Sequence, residues 1–270
     1  MYTPIIYLLI CILISCFSFI FVLGSYGQVL VLIMGLVVFP LQKFVHKDTL
    51  QNLGFRKCKF KNILKGFLLP IIILGLITLI NILIGLVKIQ SLGEIRNPFN
   101  GGAPISTLID FSLFLFINFA ILFILEFITE ELLFRGYLLN KLTLIYGEMK
   151  GIFISSIVFG LWHLPISIWL IGFDSGRTFI YIFNMFLLGI VLALLFQESK
   201  SLIPVVIFHA LWNTLEYNFF GFANQTGLLM GTNRIIFDPE EGLIGTFTLL
   251  LFIGFLYKKT LIKKVITQPI

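Results

Sequence analysis

Charge is what this sequence lacks most. Of its 270 residues only 12% are Asp, Glu, Lys or Arg, about half of what a soluble domain of ordinary composition carries. That shortage, with 59% hydrophobic residues and a mean hydropathy of +1.05, excludes an ordinary water-soluble enzyme and places the chain in a membrane. Cysteine is also scarce. The three are Cys11, Cys16 and Cys58, and no CxxC or other metal-ligand cysteine spacing joins them, which argues against a disulfide framework and a thiolate zinc site. The N-terminus has no basic region ahead of its first apolar run and no convincing small-residue cleavage site, so a cleaved leader is not expected and the run reads as a retained helix. Internal repeats and low-complexity linkers are absent, and one membrane domain is expected.

Long Ile, Leu and Phe runs are plentiful. A spanning helix needs about 20 apolar residues, and eight stretches meet that need, near 4–23, 27–43, 66–87, 106–128, 151–171, 179–197, 202–222 and 242–257. The amphipathic segment 129–146 continues the fourth. Continuous rather than alternating apolar runs argue against a transmembrane barrel. The expectation is an all-α, polytopic bundle of about eight transmembrane helices.

The few charges are unevenly placed. With eight spans, Lys43, Lys47, Arg56, Lys57, Lys59, Lys61 and Lys65, the 129–150 segment, Lys200 and the C-terminal lysines put fifteen basic residues on one side. Lys88, Arg96, Arg177 and Arg234 put four on the other. The basic side is the cytoplasmic one, which makes both termini cytoplasmic in a multi-pass plasma-membrane protein. The net charge of +6 is then a matter of topology, and no nucleic-acid partner is expected. The stretch LGFRKCKFKNILKGF (53–67) reads either as a surface-lying basic segment or as a topological loop, and His46 beside it as a surface histidine.

Against this background EFITEELLFRGYLL (126–139) stands out, with three carboxylates and an arginine in an apolar stretch. Glu131 and Arg135 are four apart and can pair along one helix face. Glu126 and Glu130, also four apart, fall on a neighbouring face, which leaves Glu130 the less compensated acid. Intramembrane charges usually face the bundle interior or a watery cavity. The competing reading is an interfacial helix over 129–141 with its charges solvated by cytosol.

Two of the three histidines also lie within spans. His163 follows Phe159 by one turn in SSIVFGLWHLP (155–165), and His209 precedes Asn213 by one turn in VVIFHALWNTLEYN (205–218), with Glu216 on roughly the same face. A shielded carboxylate can act as a base near neutral pH, an imidazole can share a water with it, and a second imidazole and an amide can donate to an oxyanion. That inventory suits a hydrolase. HExxH and Ser-His-Asp patterns are absent. Glu130, His163 and His209 would also serve as a His-His-carboxylate metal set with an open position.

EELLFR (130–135), FGLWH (159–163) and HALWN (209–213), in that order and on separate spans, resemble the three motifs of the CPBP family. These are the CAAX-prenyl-protease-2-like and bacteriocin-processing intramembrane proteases, also called Abi proteins. The resemblance covers about residues 106–222, which divides the chain into N-terminal helices with a basic cytoplasmic loop (1–105), a catalytic core (106–222), and a C-terminal loop with the last helix (223–270). It implies an intramembrane endopeptidase acting on membrane-associated, prenylated or bacteriocin-type peptide or protein substrates at the lipid bilayer. It also implies roles. Glu130 activates the water, His163 assists, and His209 and Asn213 form the oxyanion site. Glu131, Arg135 and Phe159 order these groups. The resemblance fits both a glutamate-type mechanism with no cofactor and one using a divalent metal such as zinc. A non-catalytic immunity or scaffold protein is the alternative, and a small transporter a more distant one.

Overall fold

The computed structural model describes Ile6 and residues 25–223 and 225–267. The first expected span, 4–23, and with it Cys11 and Cys16, lies outside these apart from Ile6. The chain is mostly helical. Helix α1 (Ser25–Pro40) passes into a π-helical turn, Leu41–Val45, and α2 is Phe60–Leu83. Helix α3 (Leu108–Glu126) runs without a break into a π-helical segment, Phe127–Leu139, and then α4 (Asn140–Tyr146). Helix α5 (Glu148–Trp162) is followed by a second π-helical segment, Ile166–Gly172. Helices α6 (Ser175–Ser199), α7 (Ile203–Phe219), the short α8 (Arg234–Phe237) and α9 (Leu243–Thr267) complete the order.

Among the described residues four helices are long and apolar enough to cross a membrane: Phe60–Leu83, Leu108–Tyr146, Glu148–Gly172 and Ser175–Ser199. Helix α7 has 17 residues, at the short limit for a crossing. The chain is thus a helical membrane bundle. Its outer surface agrees, with Leu108, Ile109, Phe116, Phe179 and Leu251 all more than 65% exposed, as side chains bathed in lipid would be. Helix α6 is the central element: most of its apolar length is buried, whereas the apolar part of Leu108–Tyr146 is largely exposed.

The long helix begins where Thr107 caps it. Thr107 Oγ1 accepts from the Asp110 backbone N–H and Asp110 Oδ2 accepts from that of Thr107, a capping box worth about 1 kcal/mol. Asp110 thus belongs to the helix end. No Pro or Gly occurs from Leu108 to Arg135, so nothing stops the helix before the charged segment.

Close crossings depend on glycine. A Cβ on Gly35 would meet the Ile128 carbonyl oxygen at 1.8 Å, and one on Gly66 the Pro204 carbonyl oxygen at 2.2 Å. The first lets α1 lie against the charged segment. The second brings the starts of α2 and α7 together, and strands just beyond their ends pair, β1 (Val87–Ile89) with β4 (Leu229–Gly231). These two helices therefore run side by side in one direction. A second small ladder joins β2 (Arg96–Asn97) to β3 (Ala103–Pro104). The strands correct the purely helical expectation. They lie in the connections outside the helices, where short extended pairs satisfy backbone groups that no helix covers.

At the basic end, Leu53 is fully buried and Gly54 adopts φ 92°. The Gly54 carbonyl accepts from the Leu202 backbone N–H at 3.1 Å, tying the basic loop to the start of α7.

Candidate functional site

The charged segment is buried. Glu131 through Leu139 are all inaccessible, which overturns the reading of 129–141 as a solvated interfacial helix. Its thirteen residues are π-helical, a geometry that favours functional sites in short pieces. Thr129 Oγ1 bonds back to the Leu125 carbonyl at 2.8 Å, and Gly136 admits the Leu53 carbonyl oxygen, which a Cβ would meet at 2.9 Å.

Glu131 is the anchor. Its Oε1 accepts from Arg135 Nη1 at 2.8 Å and lies 2.7 Å from His209 Nδ1, with the Glu131 and Arg135 side chains 0% and 3% exposed. A carboxylate oxygen only accepts, so Nδ1 of His209 carries the proton and its Nε2 faces Glu126 Oε2 at 3.7 Å. Asn213 Nδ2, one turn along α7, donates to Glu126 Oε1 at 2.8 Å.

Phe159 organises the other half. Its ring is fully buried, with the Arg135 guanidinium carbon 4.0 Å from its centroid, a cation–π contact that adds to the ion pair with Glu131 and a longer contact with the Phe134 ring at 5.9 Å. The same ring packs edge-on against His163 at 4.7 Å and His209 at 6.0 Å. The Phe159 carbonyl receives His163 Nδ1 at 2.8 Å, since His163 caps the end of α5. That fixes the tautomer and turns Nε2 toward Glu130 Oε2, 4.0 Å away. The gap is too long for a direct hydrogen bond and suits one bridging water. Glu130 Oε2 is buried without a hydrogen-bond partner among the described residues.

Glu130, Glu131, Arg135, Phe159, His163, His209 and Asn213 therefore meet in one place. Glu126, which precedes the EELLFR motif, meets them there too. Its spacing of four from Glu130 was the available signal. Glu216 does not join them. It is buried further along α7, with Glu240, Asp238 and Arg234 as its charged neighbours. His46 is half-buried rather than on the surface, its Nε2 2.7 Å from the Tyr137 hydroxyl.

A metal-binding set was expected from Glu130, His163 and His209. Among the described residues, the donors that converge are Glu126, Glu130 and His209, whose ligand atoms lie within 4.8 Å of one another. His163 lies outside that set because its Nδ1 is taken by the Phe159 carbonyl and its Nε2 reaches only Glu130.

Residues 112–215 match the model of a protein family described as Rce1-like, type II CAAX prenyl endopeptidase. The match takes in every motif residue above and agrees with the CPBP resemblance of the sequence. It points to a protease, and so a hydrolase, in a multi-pass membrane setting. No curated protein matches the chain.

Proposed function

We propose, from the premise that residues 112–215 carry the Rce1-like CAAX endopeptidase segment, that this protein is an intramembrane endopeptidase using a Glu/His-activated water. The observation that carries the reading is the 4.0 Å gap between Glu130 Oε2 and His163 Nε2, with the His209–Asn213 pair beside it. A water in that gap gives a proton to Glu130, and its oxygen attacks the scissile carbonyl carbon. The carbonyl oxygen becomes an oxyanion that Asn213 Nδ2 and the His209 ring stabilise. Collapse breaks the C–N bond, and Glu130 returns the proton to the leaving amine. Glu131, Arg135 and Phe159 hold the two imidazoles in register. A divalent metal such as zinc, if bound, would supply Lewis-acid polarisation of the carbonyl.

The substrate class is a membrane-associated peptide or protein, of the prenylated or bacteriocin type, reached from within the bilayer. The catalytic core spans 106–222. The fifteen-to-four distribution of basic residues supports eight crossings with both termini cytoplasmic in the plasma membrane, and terminal reporter fusions test that orientation.

The central test compares membranes of a deletion strain carrying wild type or Glu130→Gln at equal expression, by proteomics of peptide termini. New termini are expected only with wild type. Identical termini would reject the protease reading in favour of a non-catalytic immunity or scaffold role.

A further inference from the structure

A polar cavity of about 230 Å³ lies at the basic end of the bundle. Its walls come from the π-helical turn after α1, the loop before α2, the π-helical segment with α4, and the end of α6. None of the residues assigned to the peptidase site lines it. Arg56, Lys141 and Lys200 do, with a single carboxylate, Asp48. Three cations against one acid leave a net charge of +2, which draws an anion. Asp48 is well supplied with donors. Its Oδ1 accepts the Thr49 backbone N–H at 2.7 Å and Asn52 Nδ2 at 2.6 Å, and its Oδ2 accepts Lys141 Nζ at 3.2 Å. Arg56 is held by neutral oxygens, the Gln51 carbonyl at 2.8 Å and Asn52 Oδ1. A guanidinium has five N–H donors, so it can serve an anion as well. Lys200 Nζ donates to another neutral oxygen, Gln197 Oε1.

Two further features narrow the ligand. Gln42 lines the cavity and is 1% exposed. Its Nε2 donates to the Thr49 carbonyl at 3.1 Å, while its Oε1 is buried without a hydrogen-bond partner among the described residues. Buried acceptors are normally satisfied, so a ligand with a hydroxyl as well as a negative charge fits. Leu144 lines the same cavity at 79% exposure, and Phe55 and Phe60 are exposed on the adjoining segment. Apolar side chains beside a cationic cavity suit the boundary between headgroups and acyl chains. The volume is also below the roughly 300–1,000 Å³ of sites that enclose a whole ligand, which leaves room for a headgroup with its chains outside. We propose that this cavity binds the phosphate headgroup of an anionic lipid of the phosphatidylglycerol class. Arg56 and Lys200 meet the phosphate, and Gln42 Oε1 accepts from a glycerol hydroxyl. Basic pockets among membrane helices commonly recognise lipids in this way. The inference does not rest on the protease reading, because binding is measured without substrate.

The test uses the full chain in detergent at about 0.15 M salt. Melting temperature is followed as dihexanoyl phosphatidylglycerol, dihexanoyl phosphatidylcholine or inorganic phosphate is added, and native mass spectrometry counts the lipids retained. Phosphatidylglycerol should raise the melting temperature saturably, with a single lipid retained per chain, and phosphatidylcholine should not. Arg56→Gln combined with Lys200→Gln should weaken binding about 30-fold. Lys59→Gln combined with Lys61→Gln, exposed and outside the cavity, should weaken it less than about 3-fold, because salt screens exposed charges. Equal shifts with the two lipids would overturn the site, as would normal binding after the Arg56 and Lys200 changes. Equal losses from both double variants would replace the cavity with a diffuse basic surface. A shift with inorganic phosphate as large as with phosphatidylglycerol would reject the lipid in favour of a soluble anion. Should the cavity variant fail to fold, the contrast between the two lipids on wild type decides. A chain that binds the lipid yet leaves all peptide termini unchanged would reject the protease and keep the lipid site.

Discussion

Among the described residues, two clusters of carboxylates lie inside the bundle, and they are built differently. Glu126, Glu130 and Glu131 belong to the candidate site. Asp238, Glu240 and Glu241 belong to the connection between α8 and α9 and are at most 4% exposed. In the second group donors surround the acids. Asp238 Oδ1 accepts the backbone N–H of Glu240 and of Glu241, both at 2.9 Å, and its Oδ2 accepts Arg234 Nη1 at 3.0 Å. Glu240 Oε1 accepts from Trp212 Nε1 at 2.7 Å, and Glu241 lies 3.5 Å from Arg177 and 3.7 Å from Arg234. In the first group only Glu131 is held by a cation at hydrogen-bond distance, and Glu130 Oε2 has no partner among the described residues. Buried polar groups are normally satisfied. The loop group, better supplied with donors although Glu241 Oε2 lacks a hydrogen bond among the described residues, fastens a loop to the bundle. The under-satisfied one leaves Glu130 Oε2 without a hydrogen-bond partner among the described residues, as the proposed water-activating role requires.

Breaking the under-satisfied group at its reactive acid should have the largest effect on activity. Glu130→Gln should lower the cleavage rate by about 10²–10⁴-fold, the usual worth of a positioned general base. Its melting temperature should stay near that of wild type, because no donor at hydrogen-bond distance depends on Glu130 Oε2. Breaking the same group at its anchor should instead attack the fold. Arg135→Met strands the fully buried Glu131, and losing one partner of a buried pair costs about 3–5 kcal/mol. Thermal unfolding in detergent, or loss of inserted protein, reads this directly. The matching change in the loop group, Arg234→Met, should cost less, about 1–3 kcal/mol. Arg234 is 26% exposed, and Asp238 keeps its two backbone donors. Equal losses for the two arginines would erase the distinction between the groups.

Much of the first group was legible because helices carry it. Glu131 with Arg135, Phe159 with His163, and His209 with Asn213 are each one turn apart, and each spacing became a local contact or a shared face. Glu126 was passed over because it lies outside the three motifs, although its spacing of four from Glu130 placed the two on one face, where they do converge. The pairing of Asn213 with Glu126 spans 87 positions, and no local pattern encodes it. The second group was hidden for a similar reason. It depends on Trp212 and Arg177 reaching a loop that has neither helical nor strand periodicity. Strands of two or three residues, such as β2 and β4, are too short to show alternation.

The loop group also titrates, and this yields the gentlest test. Burial pushes the Glu240 carboxyl from 4.5 up to about 8, with the Trp212 contact working against it and the Asp238 charge adding to it. Burial and Asp238 likewise raise Glu241 to about 7, against Arg234 and Arg177. The folded chain therefore keeps protons that the unfolded chain releases near pH 4.5. Folding takes up protons between that point and about pH 8, so stability from the neutral forms is full below pH 4.5 and is lost as pH rises through 7 to 8. Melting temperature should fall steadily from about pH 5 to pH 9, the reverse of acid denaturation. Glu240→Gln fixes a neutral side chain that can still accept from Trp212, and should flatten the upper part of that slope. An unchanged slope would mean that Glu240 is ionised in the folded protein at neutral pH. The loop would then be held by charge pairing, as Glu131 is, and the contrast between the two groups would narrow to Glu130, whose Oε2 has neither a hydrogen-bond partner nor a Lys or Arg at ion-pair distance among the described residues.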